Sequence, residues 1–178
     1  MLDKLYITPR QWMQILRWTM YALLFLVVMM VQTVVLGNRT LLGTHPSFVP
    51  VVITCVCLRE GPERGGTFAL LTSLVWCLSG ADQGSASLLV LTVLPVFGSI
   101  LCRAVLANRF FPCLLISFFV LAVDQLLIFV LKYFFDRMVP ELFLEQLVPC
   151  VLVSILIQPL VYWLVKCIAK IGAAHEST

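Results

Sequence analysis

The chain has 178 residues, of which 61% are hydrophobic and only 12% are charged, with a formal net charge of +3 and a mean hydropathy of +1.04. Soluble domains are about 45–50% apolar and about 25% charged, so this chain has too few charges to cover a water-soluble surface. The composition excludes a soluble catalytic or nucleic-acid-binding domain. It predicts an all-α, polytopic membrane protein.

Six apolar segments are expected to cross the membrane as a helix bundle. A spanning helix takes about 20 apolar residues, because the hydrocarbon core is about 30 Å thick and a helix rises about 1.5 Å per residue. Six such segments use nearly the whole chain, so residues 1–178 are predicted to form a single integral membrane domain. The segments are residues 17–36, 41–58, 65–78, 85–106, 110–131 and 147–168.

The first segment has a clear helix start. Thr8 followed by Pro9 is typical of an N-cap with proline in the first helical position, so the helix is predicted to begin near Pro9. Trp12 and Trp18 follow and suit the membrane interface. No cleavage site follows this long apolar run, and we expect it to remain as the first membrane anchor.

The second and third segments are short. The continuous apolar part of the second covers residues 48–58, and the third covers residues 65–78. We expect these helices to be tilted or shielded by neighbouring helices. The mixed-charge stretch between them, residues 59–64, is interpreted as a solvated cytoplasmic loop, with phosphate binding as the alternative.

The basic residues predict the orientation. Cytoplasmic loops of membrane proteins are enriched in Lys and Arg. With the N-terminus inside, nine of the 12 basic residues fall in inside segments and three fall outside. The sequence therefore predicts six spans with both termini cytoplasmic. The three on the outside are Arg39, Lys132 and Arg137.

Asp124 is the only ionisable side chain well inside an apolar segment. Such residues usually face the bundle interior or water, because a charge in lipid is costly. Gln32 in the first segment and Gln158 in the sixth are the polar side chains best able to reach a similar face. We interpret the three as a candidate intramembrane polar tie between helices. A proton or cation site, or a ligand contact, is the alternative.

No enzyme pattern is visible in the sequence. It contains no G-x-S-x-G, no H-E-x-x-H, no P-loop and no dinucleotide-binding glycine pattern. Its seven cysteines include no CxxC pair and are interpreted as small apolar filler, with a metal or redox site as the alternative. We therefore expect a protein with no catalytic residue, cofactor or metal.

Several short motifs follow one another along the chain. The second segment opens with a His-Pro-Ser-Phe motif, and the third opens with Gly-Gly-Thr-Phe and ends near a glycine-rich polar turn. The motif residues are His45-Pro46-Ser47-Phe48, Gly65-Gly66-Thr67-Phe68, Leu78-Ser79-Gly80 and Gly84, with Gln32, Val123-Asp124 and Phe129. Together these motifs resemble those of the rod shape-determining MreD family of bacteria. Two features depart from the family pattern. Trp76 stands where an acidic residue is frequent, so no role of that acid is carried over, and the glycines usual inside the third segment are missing.

The resemblance implies a non-enzymatic scaffold in the bacterial cytoplasmic (inner) membrane. Such a protein binds an MreC-like partner and helps to connect MreB-like filaments to the peptidoglycan synthases of cell elongation. The family fold is similar to the substrate-binding subunits of energy-coupling-factor transporters. A vitamin-binding subunit of such a transporter is therefore the alternative function. It would need a polar and aromatic pocket near the outer face.

Overall fold

The computed structural model describes residues 9–35, 47–79, 85–105, 110–136 and 140–170, and within these ranges it contains helices and no strand. A five-residue π-helix, Val31–Val35, continues the first helix. The α-helices are α1 (Pro9–Met30), α2 (Val49–Glu60), α3 (Pro62–Leu78), α4 (Ser85–Val105), α5 (Phe110–Asp136) and α6 (Pro140–Lys170). The predicted start of α1 at Pro9 is confirmed.

The short helix α2 is the centre of the bundle. Its first ten residues, Val49 to Leu58, are all buried. Their side chains are apolar or small on every side of the helix, and a helix of this kind has to be surrounded by others. Accordingly, α2 packs against each of the other five helices.

The five outer helices form a ring around α2. Along this ring α3 packs on α4, α4 on α5, α5 on α6, and α6 on α1. Between α1 and α3 the circle of helices is completed by aromatic side chains. The ring centroid of Phe68 lies 6.1 Å from that of Trp18 and 6.2 Å from that of Tyr21. Offset or edge-on aromatic pairs at such distances are favourable.

A tight connection joins α2 to α3. Gly61 has φ of 95°, a conformation that glycine adopts without the steric cost of a side chain. One turn later, a Cβ added to Gly65 would lie 2.5 Å from the Cα of Cys57. The glycine at position 65 thus lets the start of α3 lie directly against the backbone of α2.

The outward faces of the bundle are apolar. Large hydrophobic side chains are exposed on α1 and on α3 to α6, and examples are Leu23, Leu71, Phe97, Phe119 and Leu156. Among the residues that the structure describes, three helical stretches are long and apolar enough to cross a membrane: Gln11–Val34, Phe111–Val130 and Pro149–Lys170. Together these features indicate a membrane protein.

The helices of the other predicted spans offer shorter apolar stretches than these three. The apolar part of α4, Ser87–Arg103, falls just below spanning length. Helix α2 has 12 residues, about 18 Å at 1.5 Å per residue, and residues 47 and 48 before it are not helical. Within the described residues, the second segment therefore contributes a short helix that the bundle encloses.

The last two predicted segments lie within longer helices. The apolar stretches long enough to cross a membrane, Phe111–Val130 and Pro149–Lys170, are close to the predicted segments 110–131 and 147–168. Helix α5 continues to Asp136 and α6 begins at Pro140, so most of the connection expected at residues 132–146 is helical. The reason is local, because Pro140 suits a first helical position and the following Glu and Leu residues are good helix formers.

Candidate functional site

Side chains from α1 and α6 hold the first turn of α2. The Gln32 Oε1 atom accepts hydrogen bonds from the backbone N–H groups of Phe48 at 2.9 Å and Val49 at 3.1 Å. The backbone N–H of Ser47 donates to the Ser154 hydroxyl at 3.2 Å. The first N–H groups of a helix have no partner within it, and in an apolar bundle they need one. These two side chains supply it.

Asp124 lies in the bundle interior at the same end of α2. It is 3% exposed and lies near Cys150 of α6, which in turn lies against the backbone of Ser47. Asp124 of α5 is therefore close to α6 and to the residues that precede α2.

Gln158 lies at another level of the bundle. It is completely buried, and its Nε2 donates to the backbone carbonyl of Cys113 at 3.0 Å. Cys113 precedes Asp124 by 11 residues on α5, which is about 16 Å along the helix. Gln32 and Asp124 thus share one end of α2, while Gln158 connects α6 to α5 elsewhere.

A second network holds the other end of α2. The Glu60 carboxylate pairs with the Arg17 guanidinium, with Nη2 and Oε2 3.0 Å apart, and its Oε1 accepts from the Tyr21 hydroxyl at 2.8 Å. Arg103 donates from Nη2 to the Glu60 backbone carbonyl at 3.1 Å. Glu60 therefore connects α2 with both α1 and α4.

The Glu60 network corrects the interpretation of residues 59–64 as a solvated loop. Glu63 and Arg64 are exposed, as expected for a loop. The Glu60 side chain is only 6% exposed, and residues from Pro62 onward belong to α3. Sequence reasoning missed this network. The predicted topology placed Arg17 and Glu60 on the same side of the membrane. It did not determine which of the arginines on that side pairs with Glu60.

Cysteines from three helices meet in the core beside Gln158. The Sγ atoms of Cys55 on α2 and Cys113 on α5 are 3.7 Å apart. Both line a crevice of about 20 Å³, together with Cys102 of α4. That volume holds about one water molecule. Within the described residues, no three His, Cys, Asp or Glu side chains are placed to hold a metal ion.

The described polar residues are thus arranged to fix α2 within the bundle. One network satisfies the backbone donors at its start, and the other neutralises the charges and binds a carbonyl at its end. Each contact joins α2, or the two residues just before it, to another helix. Comparisons of this chain with protein-family models, curated proteins and solved structures found no match.

Proposed function

We propose that this chain is a non-enzymatic membrane scaffold of the bacterial cell-elongation machinery and binds an MreC-like partner. In this proposal it crosses the cytoplasmic membrane six times, with both termini in the cytoplasm. Through its partner it helps to connect MreB-like filaments to peptidoglycan synthases. The proposal begins from the sequence motifs of the MreD family quoted above.

The packing of the two main motifs supports this proposal and is the observation that carries it. Phe48, which ends the His-Pro-Ser-Phe motif, is buried at the start of α2. In the second motif, Gly65 lies against the backbone of Cys57, and Phe68 packs on Trp18 and Tyr21 of α1. The described residues of these two motifs therefore take part in the α2–α3 hairpin and its packing on α1, whereas His45, Pro46, Gly80 and Gly84 lie outside the described residues.

The packing of the described residues supports a scaffold over a ligand carrier. Small-molecule sites are usually clefts of about 300–1,000 Å³, whereas the crevice beside Cys55 and Cys113 has about 20 Å³. Broad apolar faces are exposed on the outer helices, and helices of a membrane partner pack on such faces through van der Waals contact.

Six passes are compatible with the lengths of the shorter helices. Helix α3 has 17 residues, about 25 Å, and a helix slightly shorter than the hydrocarbon core is accommodated by local thinning of the bilayer at modest cost. Helix α2 is shorter still, but it is enclosed by protein. Backbone that is not helical at membrane depth is tolerated where protein surrounds it.

The first experiment tests for the partner. The chain and an MreC-like protein would be expressed together, with an affinity tag on the chain, solubilised in mild detergent and purified. We expect the MreC-like protein to be recovered in a fixed ratio. A tagged membrane protein of similar size and unrelated sequence is the control, and equal recovery with that control would contradict the proposal.

The second experiment tests the transporter alternative. A ligand at 100 times its dissociation constant stabilises the folded state by about 2.7 kcal/mol, which a thermal unfolding assay detects. We expect no shift with any of the common vitamins. Reproducible stabilisation by one vitamin, together with failure to recover an MreC-like partner, would replace the scaffold proposal with a substrate-binding subunit.

A further inference from the structure

The crevice beside the cysteines opens between two matching helix faces. Each face presents three residues at positions i, i+3 and i+4, which lie on one side of a helix. On α2 these are Cys55, Leu58 and Arg59, and on α6 they are Tyr162, Val165 and Lys166. In both helices the order is the same, and the basic residue comes last, near the helix end.

The two cations at this crevice differ from the neighbouring arginines. Arg17 pairs with the Glu60 carboxylate and Arg103 binds the Glu60 carbonyl. Within the described residues, Arg59 and Lys166 form no ion pair with a carboxylate. Arg59 is half-buried and Lys166 is exposed. Two positive charges therefore flank one opening whose described lining residues are mostly apolar and include no anion.

An apolar stripe leads along α6 to this opening. Leu156, Leu160 and Trp163 are 79%, 61% and 62% exposed, and their spacing places them on one side of the helix. Lys166 follows Trp163 by one turn. A tryptophan beside a lysine at the end of an apolar stripe is typical of the level at which lipid headgroups lie.

From this arrangement we infer that Arg59 and Lys166 form a binding site for the phosphate group of an anionic phospholipid. The phosphate lies at the mouth of the crevice, between the two cations, because the crevice itself holds only about one water. The acyl chains lie along the stripe of Leu156, Leu160 and Trp163. Basic pockets between membrane helices bind anionic headgroups in this way. The site is independent of the protein partner proposed above.

The test measures lipid binding to the full-length protein purified in a neutral detergent. Dioleoyl phosphatidylglycerol would be titrated and bound lipid followed by native mass spectrometry, with dioleoyl phosphatidylcholine as the zwitterionic comparison. We expect phosphatidylglycerol to bind more tightly, and its advantage to fall as salt rises. Equal binding of the two lipids by the wild-type protein would overturn the inference without any variant.

The variants assign the site to the two cations. A basic residue near anionic lipid contributes about 1 kcal/mol, which is roughly fivefold in affinity. Lys166→Gln, an exposed change, should therefore weaken phosphatidylglycerol binding roughly fivefold, and Arg59→Gln with Lys166→Gln roughly 25-fold. Arg64→Gln is the matched control, because Arg64 is exposed near the same end of α2 and does not line the crevice.

Two further measurements test whether the cations bind the ligand and whether that ligand is a lipid or a soluble phosphate. Lys166→Arg should retain the affinity, since it keeps the charge. If Lys166→Gln binds phosphatidylglycerol as tightly as the wild type, the cations serve only the helix ends and the inference fails. Inorganic phosphate and glycerol 1-phosphate should not displace the lipid. Displacement by either at millimolar concentration would assign the site to a soluble phosphate instead.

Discussion

Gln32 binds the start of a helix that is not its own: its side-chain oxygen lies 2.9 Å from the backbone nitrogen of Phe48 and accepts that hydrogen bond. The same oxygen accepts from Val49. A single amide group at the end of α1 thus satisfies two donors at the start of the central helix. Because α2 is enclosed by protein, water is a poor substitute for this acceptor.

Replacing Gln32 by alanine should destabilise the protein by about 1–3 kcal/mol, because buried donors lose their partner. Gln32→Glu keeps an acceptor oxygen and should be less harmful. Thermal unfolding of the purified protein measures the difference. Thr33→Ala is the matched control, since Thr33 binds only carbonyls of its own helix. Equal stability of Gln32→Ala and Thr33→Ala would contradict the role of Gln32.

Glu60→Ala should cost about 3–5 kcal/mol, the usual effect of removing one partner of a buried ion pair. Tyr21→Phe removes only the hydroxyl that donates to Glu60 and should cost about 1–2 kcal/mol. The control is Glu63→Ala, because Glu63 is exposed and surface changes are usually within about 0.5 kcal/mol. The order of unfolding temperatures is the measurement, and Glu60→Ala as stable as Glu63→Ala would contradict the network.

Gly65→Ala should destabilise the α2–α3 hairpin by about 1–3 kcal/mol, the range for overpacking. The added Cβ would meet backbone, the Cα of Cys57, at 2.5 Å. Gly66→Ala is the neighbouring control, because its Cβ would meet a Val96 methyl at 3.1 Å, and a side chain moves more easily. Unfolding temperatures of the two variants should differ clearly. If they fall together, the close approach at Gly65 is not what limits this position.

Asp124→Asn should preserve folding and largely preserve recovery of the MreC-like partner, because an amide can still form hydrogen bonds. Asp124→Leu should cost about 0.6–2 kcal/mol, the usual range for polar contacts between membrane helices. Both variants would be compared for accumulation in membranes and for co-purification. Loss of function in Asp124→Asn at normal protein levels would favour a proton-linked role instead.

The six-span topology predicts which positions a membrane-impermeant maleimide can label. In a background with the seven native cysteines replaced, Gln83→Cys should react in intact cells and Thr178→Cys only after permeabilisation. Both positions lie outside the described residues, so the test is independent of the helix packing. Labelling of Thr178→Cys from outside intact cells would exclude a cytoplasmic C-terminus.

The sequence alone was sufficient to predict that the protein lies in a membrane and to locate most of its helices. Apolar composition predicted a membrane protein, and the starts of α1, α4 and α5 were close to their predicted residues: α1 near Pro9, α4 at Ser85 and α5 at Phe110. These features depend on residues near one another in the chain. The helical extensions of α5 and α6 beyond the predicted spans were not predicted, because the polar residues of that connection suggested a loop although they are compatible with a helix.

Only the tertiary structure decided that α2 is the central helix. Hydropathy reports that Val49 to Leu58 are apolar, but it does not distinguish a helix in lipid from one buried in protein, because lipid tails are as apolar as leucine. The partners of Gln32 and Glu60 were undetermined for a related reason. Their hydrogen bonds join residues distant in the chain, so each depends on how the helices pack around α2, which local sequence does not specify.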